Sequence, residues 1–167
     1  MSPAAALEPA PPRLFGVRRV LLQREDRHEL GAFKWRGALP TVEAFRARGA
    51  EAVVTASTGN HGAAVAWAGR RTGVRAIVYA PRNASTTKVD RIRSMGAEVR
   101  LEGDDLDLAK DEARRFASEA GLPFFEDGAE PTQLAGYGAI AIDRSTMREG
   151  QGTSINDRCA CLSTGWR

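Results

Sequence analysis

The chain has 167 residues, 43% apolar and 27% charged, which excludes a disordered polymer and suits one globular domain with its own core rather than two complete ones. The 24 Lys and Arg against 21 Asp and Glu leave a net charge of +3, with the arginines scattered among acids, so nothing here reads as a nucleic-acid surface. No stretch is apolar enough to span a bilayer, residues 1–12 lack a signal-peptide pattern, and Cys159 and Cys161 have no further ligands beside them to complete a zinc set. The expectation is a cytoplasmic protein with no metal and no membrane or nucleic-acid partner.

In chain order, Pro3, Pro9, Pro11 and Pro12 mark residues 1–12 as a flexible arm, and residues 19–23 read as a strand ending in charge. From Glu51 a unit repeats. An apolar strand at 52–56 leads through a glycine turn to an alanine-rich helix from about 60 to 71. A strand at 75–80 leads to a helix opening at Ser85, a suitable N-cap, and closing at Gly96. A strand at 98–101 leads to a helix whose start carries Asp104 and Asp105, charges that suit its positive end. On that helix Leu106, Ala109, Ala113, Phe116 and Ala120 form the expected core stripe, Gly121 closes it, and Pro123-Phe124-Phe125 reads as a short buried strand. The glycines of Gly136-Tyr137-Gly138 are read as close packing at a helix start.

This alternation predicts an α/β fold, a parallel sheet with flanking helices and right-handed crossovers, whose ligands sit beyond the C-terminal ends of the strands. The expected divisions are an arm at 1–12, a lysine-bearing part at 13–50, a small α/β domain at 51–143 and an irregular tail at 144–167. Apolar periodicity stops after Asp143, as a frameshift or premature end would make it stop. Within the tail, Gly150-Gln151-Gly152-Thr153-Ser154 lacks the preceding strand that a phosphate loop requires.

Two segments carry chemistry. Gly31-Ala32-Phe33-Lys34-Trp35-Arg36-Gly37-Ala38 places a primary amine just inside a helix start, where it can attack an aldehyde cofactor. Phe33 and Trp35 flank it with apolar surface that desolvates an ammonium, whereas a lone lysine in such a place is ordinarily a solvated charge. Ala56-Ser57-Thr58-Gly59-Asn60-His61-Gly62 follows a strand and opens a helix, so its N–H groups and small polar side chains can hold a carboxylate. The same loop also reads as a plain strand-to-helix turn, with Gly59 at positive φ, Asn60 as a cap and His61 in an orienting role.

From about Val20 to Asp143 the sequence resembles the fold-type II pyridoxal-phosphate enzymes, above all the threonine and serine dehydratases and the related serine racemases. The lysine segment is similar to the family's Ser-Phe-Lys-x-Arg-Gly-Ala, with Ala32 in place of serine, and the loop to Ser-x-Gly-Asn-His-Gly. Arg24-Glu25-Asp26 resembles the end of the family's Lys-Arg-Glu-Asp, with Gln23 for lysine, and residues 136–139 its Gly-Gln-Gly-Thr, with Tyr137 and Ala139 substituted. The resemblance implies pyridoxal 5′-phosphate as cofactor, with Lys34 as the Schiff-base lysine that also removes the Cα proton and with Phe33 and Asn60 at the cofactor. It implies that Ser57, Thr58, Gly59, Asn60 and His61 bind the substrate carboxylate. Thr58 stands where the racemases carry a catalytic serine.

The implied reaction is β-elimination of threonine or serine to a 2-oxo acid and ammonia. A serine racemase or threonine synthase activity of the intact parent, or an inactive relic, is the alternative. The implied architecture is the N-terminal part of the tryptophan-synthase-beta-like fold, truncated, with a homo-oligomer as the intact parent. Because the chain has no glycine run for the cofactor phosphate, the expectation is that it is inactive by itself.

Overall fold

The computed structural model describes residues 7–11 and 20–148, their side chains only as far as residue 140. Cys159, Cys161 and the 150–154 segment lie outside the described residues. A short antiparallel pair, β1 (Leu7–Pro9) and β2 (Leu21–Gln23), comes first, so part of the stretch expected to be a free arm is paired. Arg24 and Arg27 both reach Glu8 at 2.8 Å and tie β1 to the turn of 3-10 helix at Glu25–Arg27. There follow α1 (Trp35–Ala47), β3 (Ala52–Ala56), α2 (Asn60–Thr72), β4 (Arg75–Ala80), α3 (Thr86–Ser94), β5 (Glu98–Leu101), α4 (Leu106–Glu119) and α5 (Pro131–Arg148). α5 continues past Arg144, where the irregular tail was expected to begin. No helix among the described residues is long and apolar enough to cross a membrane.

β3, β4 and β5 form a parallel sheet in that order, at the expected boundaries. The pleat divides their side chains between two cores: Val53, Ala76 and Val78 meet α1 and α2, while Ala52, Val54, Ile77 and Tyr79 meet α4. With both faces covered, β3 and β4 are almost wholly apolar, whereas β5, at the end of the sheet order, alternates Glu98 and Arg100 with Val99 and Leu101. The segment expected to be a strand at 123–125 makes a single parallel rung on the free side of β3, where Val54 N donates to Pro123 O at 2.9 Å and Phe125 N to Val54 O at 2.7 Å. The chain therefore leaves β3 toward β4 and later returns to the opposite side of β3.

Two further expectations need correction. On α4 the buried line is Ala109, Ala113 and Ala117, with Phe116 half-buried; Leu106 is 42% exposed and Ala120 is also exposed. Both are end positions, Leu106 the first residue of α4 and Ala120 its C-cap. Ser85 is the N-cap of α3 as expected, yet its side chain makes no capping bond; its carbonyl accepts from Lys88 N and Val89 N, each at 3.0 Å.

α5 packs along α1, and here glycine is required. Pro40 lies inside α1 and has no N–H to donate to the carbonyl of Arg36 one turn earlier. Gly136 closes on that carbonyl so tightly that a Cβ on it would sit 2.1 Å from Arg36 O, and a Cβ on Gly37 would sit 2.7 Å from both Gln133 and Tyr137. Thr41 Oγ1 and Thr132 Oγ1, 2.9 Å apart, join the two helices beside this contact. The glycine segment thus serves close packing as expected, but in the interior of a helix rather than at its start. Substituting Gly136→Ala is expected to lower stability by about 1–3 kcal/mol in urea unfolding. Gly138→Ala, which meets nothing within 4 Å, should be neutral or stabilising by up to about 1 kcal/mol.

Candidate cofactor and carboxylate site

Lys34 precedes α1 and is fixed there by its neighbours rather than by its own side chain. Gly31, at φ +58°, turns the chain into the helix, with its N–H on His28 O at 2.7 Å. The Arg36 Nε contacts both carboxylate oxygens of Glu25 at 2.9 Å in a nearly dry pocket, and Trp35 stacks on His28 with ring centroids 4.6 Å apart. Glu25, at the centre of the Arg24-Glu25-Asp26 motif, thereby anchors the first turn of the lysine helix. Trp35 faces the core and does not flank the amine, contrary to expectation. The second ring beside Lys34 belongs to Tyr137, whose centroid lies 5.5 Å from Nζ, against 5.8 Å for Phe33.

The 57–62 loop leaves the C-terminal end of β3, where Ser57 N still bonds Tyr79 O at 2.9 Å. Ser57 Oγ accepts from Gly59 N at 3.1 Å, and α2 begins at Asn60 with no side-chain cap. Gly59, the N-cap, has φ −141°, an ordinary extended value, so the expected positive φ is absent. A Cβ there would meet nothing within 4 Å. Neither a positive φ nor packing demands glycine at this position. Asn60 is exposed, and its Oδ1 accepts from Arg91 Nη1 at 3.3 Å.

His61 is buried against the Phe125 ring, which it meets edge-on at 4.8 Å. Thr55 Oγ1 spends its single hydrogen on Phe125 O at 2.7 Å, so His61 Nε2, 3.1 Å from that oxygen, is the donor to it. Burial lowers the His61 pKa and outweighs the opposing pull of Asp127, so the ring is neutral near pH 7.

Asp127, which the sequence reading passed over, is the group on which these elements meet. Its Oδ1 and Oδ2 take the Lys34 Nζ at 2.8 and 2.7 Å, and Oδ1 lies 3.5 Å from His61 Nδ1. Burial raises its pKa, but the Lys34 bond and the other partners more than reverse this, leaving the carboxyl below its usual value. The fully buried Gln133 donates from Nε2 to Asp127 Oδ1 and to Tyr137 OH, both at 2.8 Å, and accepts from Gly128 N at 2.6 Å. The available signal was placement: Glu126-Asp127-Gly128 follows a strand-like segment at the same sheet end as the Ser57 loop.

The Ser57 loop and the 126–128 loop leave the adjacent ends of β3 and the 123–125 segment, the side on which open α/β sheets bind ligands. A family model described as Pyridoxal-phosphate dependent enzyme matches residues 4–165. The chain belongs to that family. Among the family's curated members, it is 36% identical over 126 residues to the biosynthetic L-threonine dehydratase of Pasteurella multocida, a match covering 75% of this chain and 25% of that protein. It is also 36% identical over 125 residues to the L-threonine ammonia-lyase of Thermotoga maritima, covering 74% of this chain and 31% of the other. The solved threonine deaminase isoform 2 of Solanum lycopersicum superposes with a TM-score of 0.78 at 29% identity, over 89% of this chain and 40% of that one. The chain thus spans about a quarter to a third of the length of these curated relatives. The α/β fold of the pyridoxal-phosphate enzymes and the likeness to threonine dehydratases stand as expected from the motifs.

Both histidines have pKa values below the ordinary 6.5, each chiefly through burial. The unfolded chain then binds more protons than the folded one as pH falls past about 6.5, so stability is full above that value and declines below it. Proton NMR should show two imidazole titrations with midpoints below 6.5, and the thermal unfolding midpoint should fall between about pH 7.5 and 5.5.

Proposed function

We propose that Lys34 is the amine that bonds the aldehyde of pyridoxal 5′-phosphate, with Phe33 and Asn60 beside the cofactor. Ser57, Thr58, Gly59, Asn60 and His61 hold the carboxylate of threonine or serine. The reaction is a cytoplasmic dehydration to a 2-oxo acid and ammonia, to which this chain brings the amine and the carboxylate loop. The observation that carries the reading is that one carboxylate, Asp127, touches the Lys34 amine and sits 3.5 Å from the first buried residue of the loop helix, so amine and loop border one crevice.

The residues fit such a cofactor. The Lys34 side chain is 24% exposed and reaches out between two aromatic rings, within reach of an incoming aldehyde. Gly59 leaves open space above the loop at a position where neither packing nor φ asks for it, which is where a ligand would approach the backbone. The uncapped first turn of α2 presents N–H donors at the positive end of a helix, a ready seat for a carboxylate.

When bound, pyridoxal phosphate supplies an electron sink that makes a Cα–H acidic. The chain's own residues do the rest. The α2 N–H groups and the Ser57 and Thr58 hydroxyls orient the substrate carboxylate, so that Cα faces the amine. The Lys34 amine, once released, takes the Cα proton as a general base. His61, buried and neutral, keeps the loop in place through Thr55 and is not a proton source.

Incubation with pyridoxal phosphate, reduction with borohydride and peptide mapping should place the label on Lys34, with none in Lys34→Ala; label spread over Lys88 and Lys110 would refute the assignment. Gly59→Ala is expected to leave stability within about 0.5 kcal/mol of the parent, since the new methyl meets no protein atom. The same variant should lose binding of a substrate carboxylate, measured by calorimetry on the cofactor-treated chain. Unchanged binding would move the carboxylate elsewhere.

A further inference from the structure

Asp127 and Gln133 form a device that the proposed chemistry does not by itself require. Gln133 is fully buried, and all of its amide is engaged: two N–H bonds to Asp127 and Tyr137, and one accepted from the backbone of Gly128. These partners fix which end of the amide faces the carboxylate. Asp127 is thereby aimed, and both its oxygens close on the Lys34 ammonium at 2.8 and 2.7 Å. The Phe33 and Tyr137 rings stand beside that ammonium, adding a cation–π attraction. The ion pair is half-open to water, with side-chain exposures of 24% and 42%, so it contributes little to folding. A buried glutamine devoted to orienting a pair of small stabilising effect points to control of the amine.

We propose that Asp127, aimed by Gln133, is a positioning residue for Lys34: it stations the amine as an ammonium whenever that nitrogen is not covalently engaged, and must release it before it can bond an aldehyde. This rests on the reading of Lys34 as the cofactor-bonding amine. The ammonium has no lone pair for a carbonyl. The carboxylate holds two of its three hydrogens, and bond formation follows only after the amine leaves Asp127 and gives a proton to solvent.

The test uses the cofactor-free chain, so it fails or succeeds apart from the trapping experiment above. The chain is acetylated briefly with acetic anhydride at fixed pH, and the rate at Lys34 is read against exposed Lys88 in the same molecule by peptide mass spectrometry. Asp127→Asn is expected to raise the Lys34 to Lys88 ratio about fivefold, the factor that one half-exposed ion pair can supply. Gln133→Leu should raise it by less, and Asp127→Glu should return it toward the parent value. A purely structural role would not produce that rescue. An unchanged ratio in Asp127→Asn overturns the proposal, as does a Glu variant indistinguishable from Asn. Should the Asn variant fail to fold, the parent chain gives the same reading in about 1 M sodium chloride, where the screened pair yields and the ratio rises. A ratio flat with salt would overturn it.

Discussion

The contact of α5 on α1 decides where the candidate site can exist. Two backbones approach at Gly136 and Gly37 more closely than any side chain would allow, across a carbonyl that Pro40 cannot bond. That closeness brings Gln133 and Tyr137, one turn apart on α5, over the start of α1. There they meet Lys34 on one side and the 126–128 loop on the other. A wider helix pair would take the second ring, Tyr137, from the amine and the Gln133 bond from Asp127. The energetics are those of an over-determined joint, in which dispersion between close backbones and the Thr41–Thr132 hydroxyl pair act together.

The sheet contributes position rather than chemistry. Because the chain runs from β3 to β4 and later returns to the far side of β3, the ends of Ala52–Ala56 and of the 123–125 segment lie side by side. Thr55 joins them, with its hydroxyl on Phe125 O and His61 on the hydroxyl. Thr55 Oγ1 and His61 Nε2 find partners in that buried seam, while His61 Nδ1 makes no hydrogen bond. The same seam leaves Asp127 at the mouth of the crevice.

Much of this was legible in the residues. Strands 52–56 and 75–80 are largely β-branched or small apolar runs between glycine, proline and charge, 98–101 alternates charge with Val99 and Leu101, and patterns of that kind are decided locally. The lysine segment and the Ser57 loop were legible because their residue types make chemical sense only together. What stayed hidden depends on distant partners. Asp127 and Lys34 lie 93 positions apart, and no periodicity connects them. Trp35 reads as a neighbour of Lys34 along the chain, yet helical geometry turns it the other way, onto His28. Gly59 reads as a positive-φ glycine, whereas its φ is negative and a side chain there would meet only the space outside.

α2 is buried at every residue from His61 to Gly69, wedged between α1 and the sheet. A methyl on Gly62 would press on Ser57, Val78 and Ile92 at 3.1–3.2 Å, and one on Gly69 would meet Val74 O at 2.5 Å. Strand-to-helix loops usually tolerate change and movement, but this one is the front end of a rod with no slack. The N–H groups of its first turn are therefore held in place by the packing behind them. The same rigidity confines inherited variation. A descendant of this sequence could acquire a new ligand preference by exchanging Thr58, Gly59 or Asn60 at the tip, while one residue further along almost every exchange would first unseat the core.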